Sequence, residues 1–317
     1  METEKEKKTY RLLTRSDFDG LVAAVLLKHL GIIDDIMFVH PKDMQDGRIK
    51  VSGRDIATNL PYVEGLALCF DHHESEALRG SKRDNHIIDP QAHSAARVVW
   101  DYYGGEKVFP ILFLPMIEAA DKIDFADLTM SEVMNPSGWV LLGFITDSRT
   151  GLGRFREFNV SNYDLMMRLI DLCRTKEIDD ILELPDVKER INLYHKHEEL
   201  ARRQLAKCSR IEDKVLIIDL RKEETIYAGN RFTRYALYPE TNLSIQVMWG
   251  REKRNTVIAM GKSIFNKTSR VNIGALTLGF EGGGHAGAGT CQVDNDKADD
   301  ALREILERIR KAESGAQ

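Results

Sequence analysis

The chain lacks the cysteine spacing of a zinc knuckle or a disulfide framework: Cys69, Cys173, Cys208 and Cys291 stand far apart, and no CxxC pair occurs. Such sparse usage fits a reducing compartment. No apolar run is long enough to span a bilayer, and the opening METEKEKKTY has no hydrophobic stretch of the signal-peptide kind. The expectation is a cytoplasmic protein that does not engage a membrane. An excess of positive charge is missing too. With 45 Lys and Arg against 50 Asp and Glu the net charge is -5, so no overall basic field draws the chain to duplex DNA. A small phosphorylated partner, held by a metal and a few local cations, fits this balance. Internal repeats and low-complexity tracts are absent as well.

What remains is an ordinary globular composition, 43% hydrophobic and 30% charged over 317 residues, enough for two domains. Residues 10–14, 36–40 and 66–70 read as strands, and 21–30, 95–103 and 112–120 as helices. Apolar strands alternating with helices predict a parallel α/β sheet covered on both faces. Residues 161–207 are helical in pattern, and their charged end, 188–203, reads as a solvated connecting helix. His195 and His197 fall on it and are expected in solvent. Further strands are expected at 215–220, 244–248 and 256–260, then a glycine-rich segment at 282–289 and an amphipathic helix at 297–312. The expected organisation is a parallel-sheet catalytic domain over 1–187, a connecting helix over 188–207 and a smaller mixed α/β domain over 208–317.

Two constellations carry chemistry. Arg15-Ser16-Asp17-Phe18-Asp19-Gly20 follows the first strand directly. Residues two apart on an extended chain point the same way, so Asp17 and Asp19 converge at the strand end where open α/β sheets bind ligands. Converging carboxylates repel unless a divalent cation lies between them. A calcium-binding EF-hand loop is excluded, because its twelfth position is Leu26 rather than glutamate. Helix capping is the competing explanation for this pair alone. The second constellation, Asp71-His72-His73, again follows an apolar strand and offers metal ligands with an orienting partner. Asp55 lies between the two clusters, and Asp121 follows an apolar helix.

In this order the residues resemble the DHH/DHHA1 phosphoesterase superfamily, in the branch of exopolyphosphatase-like and oligoribonuclease-like proteins. Asp17, Asp19 and Gly20 match its Asp-x-Asp-Gly motif, Asp55 its lone aspartate, Asp71-His72-His73 its namesake triplet, and Gly282-Gly283-Gly284-His285 the Gly-Gly-Gly-His motif of its second domain. The resemblance spans nearly the whole chain. It implies metal ligation by Asp17, Asp19, Asp55, His72 and Asp121, with Asp147 in reserve for the last place, and catalytic or orienting roles for Asp71, His72 and His73. The implied cofactor is a pair of divalent cations, manganese with magnesium as the alternative, activating water for in-line attack on phosphorus. Arg15 stands where many members have a metal-binding histidine. A guanidinium cannot ligate a metal but clamps phosphate oxygens well.

The expected substrate side consists of Arg15, Gly283, Gly284, His285, Lys262 and Arg270. Gly282, Gly284 and Gly287 also spell a dinucleotide fingerprint, which the strand-like residues 289–293 contradict. The implied activity is hydrolysis of phosphate esters in short nucleotides or oligonucleotides. Polyphosphate or pyrophosphate hydrolysis, and nucleotide sensing without turnover, are the alternatives. His93 and the loop bearing Arg149, Arg154 and Arg156 receive no role; the loop is expected in solvent. Oligomeric state is left open.

Overall fold

The computed structural model describes residues 9–73 and 83–315. The charged residues 1–8 and the last two of the polar tail lie outside them. Two units make up the chain, 1–194 and 195–317.

The first unit is built on five parallel strands, β1 (Tyr10–Thr14), β2 (Ile33–Phe38), β3 (Asp55–Thr58), β4 (Leu68–Asp71) and β5 (His86–Ile88). Their order across the sheet is β2-β1-β3-β4-β5. The chain therefore turns one way from β1 to reach β2 and the other way to reach β3, which makes the β1/β3 boundary a topological switch point. Helix α1 (Phe18–His29) follows β1; α2 (Ala95–Tyr103), α3 (Leu114–Asp124), α4 (Gly138–Thr146) and α5 (Asn162–Leu172) come later. Helix α1 has apolar residues all round, so it is buried rather than amphipathic. Leu21 to Leu27 are all 0% exposed, and each large side chain there contributes roughly 1.5–3 kcal/mol. The long helix α6 (Pro185–Cys208) contains the passage from the first unit to the second.

The second unit holds a mixed six-stranded sheet of β6 (Ser209–Glu212), β7 (Val215–Asp219), β8 (Leu243–Trp249), β9 (Thr256–Lys262), β10 (Gly283–His285) and β11 (Ala288–Val293). Its order is β10-β11-β9-β8-β7-β6, with β7 and β8 parallel and the other pairs antiparallel. Alternation along β7 divides its side chains between the faces. Val215 and Ile217 join the core formed with α7 (Ile273–Leu278) and α8 (Ala298–Ser314), while Leu216 and Ile218 pack with Leu205 and Tyr238. The fold is thus a parallel α/β domain with a smaller mixed α/β domain, as the pattern of the sequence implied.

Most predicted elements stand within a few residues of their expected places. The departures have causes. Helix α1 starts at Phe18 rather than residue 21 because Asp17 caps it, accepting from the Gly20 N–H. Strands β3 and β5, four and three residues long, are too short for a periodic pattern. On α6, His197 is buried rather than solvated, and its Nδ1 accepts from the Ala228 N–H at 3.2 Å. Among the described residues no helix is long and apolar enough to cross a membrane.

Candidate metal centre

The carboxyl ends of β1, β3 and β4 meet at the switch point. Asp17 ends the loop after β1, and one of its oxygens accepts from Gly20 N at 3.0 Å. The other, Oδ2, is buried without a hydrogen bond, although Arg15 Nε lies 3.0 Å away. Gly20 is required by close approach: a Cβ there would stand 2.0 Å from the Arg15 carbonyl oxygen and 2.7 Å from Thr14 Oγ1. Asp19, in the first turn of α1, accepts from the N–H groups of Ala95 (3.0 Å) and Ala96 (2.7 Å). It thereby docks on the opening turn of α2, where unpaired backbone donors favour a negative charge.

From β4 comes the triplet. Asp71 Oδ1 accepts from the N–H groups of His72 (2.8 Å) and His73 (3.3 Å) and lies 2.7 Å from His73 Nδ1. Its Oδ2 is buried without a partner. His72 Nε2 stands 3.0 Å from Asp124 Oδ2, close but short of hydrogen-bond geometry. One ligand atom each from Asp19, His72 and Asp124 lie within 4.8 Å of one another, and so do those of Asp71, His72 and His73.

The electrostatics are those of acids crowded out of water. Burial, with Asp124 adding repulsion, pushes the Asp19 carboxyl up to about 7. Burial likewise raises Asp17. Burial alone would lower His72, but Asp124 and Asp19 outweigh it and raise the imidazole to about 9. Asp124, despite its burial, is held well below the usual carboxylate range by His72. Burial opposes protonation of His73 too, and Asp71 overcomes it. Arg149, exposed on its loop as expected, reaches this cluster from the solvent side. Its Nε is 2.8 Å from Asp147 Oδ1, and its charge also acts on Asp17 and Asp124.

The residues present fit a divalent cation. Two buried carboxylate oxygens without a hydrogen bond, on Asp17 and Asp71, are what a cation would satisfy, and the neighbouring carboxylate and imidazole groups offer the donors a divalent metal takes.

Two expected ligands are held elsewhere. Asp55 opens β3, opposite Arg11 in the parallel register, whereas Asp17 and Asp19 follow the other end of β1. Its carboxylate is occupied by Arg11 Nε at 2.7 Å and by Ser52 N at 2.6 Å. The residue that follows β3 at the switch point is Asn59. It is buried at φ 54°, which asparagine tolerates, with its Nδ2 3.5 Å from Asp17 Oδ1. Asp121 accepts from Ser94 Oγ (2.6 Å) and from Arg97 Nε (2.9 Å) and Nη2 (2.7 Å). Asp124, one turn further along α3, takes the place beside His72. Its signal was an acid three residues after Asp121, on the same face of the same helix.

In the second unit, the glycine segment is built for close packing. A Cβ on Gly284, at φ +157°, would meet the Ala288 carbonyl oxygen at 2.2 Å. His285 is exposed, its Nδ1 accepting from Gly287 N at 3.1 Å. Lys262 Nζ donates to the Ser269 carbonyl at 3.3 Å, and the Arg270 N–H faces Glu313.

Solved structures with this architecture include RecJ from Thermus thermophilus in complex with Mn2+, at 12% identity and TM-score 0.59, covering 97% of this chain and 53% of that one. An exopolyphosphatase-related protein from Bacteroides fragilis matches at 15% identity and TM-score 0.52, over 96% and 93% of the two chains. At these identities the likeness is one of fold. The chain belongs to the DHH/DHHA1 phosphoesterase superfamily. The relative that shows it is a pGpG-specific phosphodiesterase, PggH, from Vibrio cholerae, with 55% identity, TM-score 0.83, and 96% of this chain and 100% of that chain covered. Neither a scan against family models nor a search of curated proteins returns a match.

Proposed function

We propose that the chain is a metal-dependent phosphodiesterase that hydrolyses a short linear dinucleotide of the pGpG type. The observation that carries this reading is 55% identity across 96% of this chain and all of a pGpG-specific phosphodiesterase, together with the acid and imidazole cluster at the switch point. Asp17, Asp19, Asp71, His72 and Asp124 would hold the cations, and Asn59 offers an amide oxygen beside them. When bound, divalent cations polarise phosphoryl oxygens and lower the pKa of water.

The remaining work falls to the chain's own groups. Asp71 accepts from His73 Nδ1–H and favours the protonated ring, whose Nε2–H can then donate to a phosphoryl or leaving oxygen. Arg15 and Arg149 supply permanent positive charge next to the acids, and a planar guanidinium matches phosphate oxygens. Water adds across the bridging P–O bond, and two mononucleotides leave. The test is Mn2+-dependent release of mononucleotide from pGpG, with short polyphosphate as the comparison. Release that chelator abolishes is expected. Turnover of polyphosphate alone would replace this reading with exopolyphosphatase action.

Metal loading is expected to expel protons. In the metal-free protein the His72 imidazole titrates at about 9, so at pH 7.5 it carries a proton that a cation on Nε2 must displace. Affinity therefore rises with pH up to about 9, and more steeply below about 7, where Asp19 also holds a proton. Calorimetric titration with Mn2+ in buffers of different ionisation enthalpy should report about one proton released at pH 7.5. A heat independent of buffer would exclude His72 as a ligand.

A further inference from the structure

The rings of His93 and Phe125 lie face to face, their centroids 4.0 Å apart and their planes 8° from parallel. Both residues are exposed, Phe125 by 54%. Other near-parallel ring pairs among the described residues are arranged differently. Trp100 and Phe109 are each 3% exposed, and the Tyr62–His86 pair is half-buried with Arg83 over the Tyr62 ring. Core packing therefore does not account for the His93–Phe125 stack, which spends a large apolar side chain on solvent.

Its location ties it to the metal centre. Phe125 directly follows Asp124, whose carboxylate stands beside His72, and it forms the C-cap of α3. His93 directly precedes Ser94, the N-cap of α2, whose first N–H groups hold Asp19. Consecutive Cα atoms are about 3.8 Å apart, so each ring stands one residue from a group that builds the cluster. The two elements are tied at this point, because Ser94 Oγ donates to Asp121. The result is an aromatic plane at the rim of the phosphate chemistry.

We infer that the His93–Phe125 pair is a stacking platform for a nucleobase of the substrate. The inference rests on the proposed nucleotide hydrolysis and adds the element that holds a base. A π face accepts any base by stacking, so the platform supplies affinity for nucleotides over base-free phosphates rather than a choice among bases.

The experiment compares the parent protein with Phe125→Ala and Phe125→Trp, all Mn2+-loaded, on pGpG and on its abasic analogue, a base-free diester in which hydrogen replaces each base. The expected result is that Phe125→Ala lowers the ratio of kcat/KM for pGpG to that for the base-free diester by roughly 10–100-fold, mainly through KM. Phe125→Trp is expected to restore it. An equal loss on both substrates would mean that Phe125 only supports Asp124, and the inference falls; so does an unchanged ratio. If the parent protein turns over no dinucleotide, the functional reading fails separately. Binding of guanosine monophosphate by calorimetry then decides the platform: weakening by Phe125→Ala upholds it, and unchanged affinity overturns it.

Discussion

Asp124→Ala is expected to reduce pGpG hydrolysis on the order of 10³-fold, while Asp121→Ala, three residues earlier on the same helix, leaves activity within about tenfold. Asp124 stands 3.0 Å from His72 Nε2 and joins Asp19 and His72 in one cluster of ligand atoms. Removing it takes away several kcal/mol of cation and phosphoryl stabilisation, at about 1.4 kcal/mol for each factor of ten. Asp121 has a different task. It pairs with Arg97 and Ser94, and its loss leaves both donors without their acceptor at a cost of about 1–3 kcal/mol. Because Arg97 is 22% exposed and water partly replaces the carboxylate, the lower part of that range applies, and Tm falls by a few degrees. Steady-state rates, Mn2+ affinity and thermal melts on the two variants separate the roles. An Asp121→Ala protein that folds normally but binds no metal would reverse the assignment.

Gly20→Ala should be nearly as damaging to turnover without removing a single ligand. The added methyl would sit 2.0 Å from a backbone carbonyl oxygen, a contact that only movement of the loop can relieve. The loop carries Asp17, and Asp19 follows within one turn, so both carboxylates move together. A displacement of about 1 Å in a catalytic constellation costs around 10²-fold, and overpacking of this kind costs ~1–3 kcal/mol in stability. Activity retained within about threefold would refute the idea that the glycine holds the aspartates in register.

The parallel architecture and three of the acids in the centre were legible because they sit next to strong signals: an apolar strand, then Asp17 and Asp19, and a second apolar strand, then Asp71. Asp55 misled because strand polarity is invisible in a four-residue buried stretch. An acid at its start and an asparagine at its end look alike until the register opposite Arg11 is known. Asp121 and Asp124 share a helix face, and only Arg97, from another helix, decides between them. The reach of Arg149 was hidden for the same reason: two of the charges it acts on, Asp17 and Asp124, are distant in sequence.

The bonds from Ala95 and Ala96 to Asp19 join residues 76 and 77 positions apart. A chain seldom closes so long a loop early, because its entropy must be spent before the contact returns anything. The expected order is that these contacts between α1 and the opening turn of α2 form late, after the sheet has paired. Interactions absent from the transition state act on the escape rate and not on the rate of assembly. A cation bound at the cluster would then act as a lock applied after folding: Mn2+ is expected to slow unfolding and to leave the folding rate unchanged.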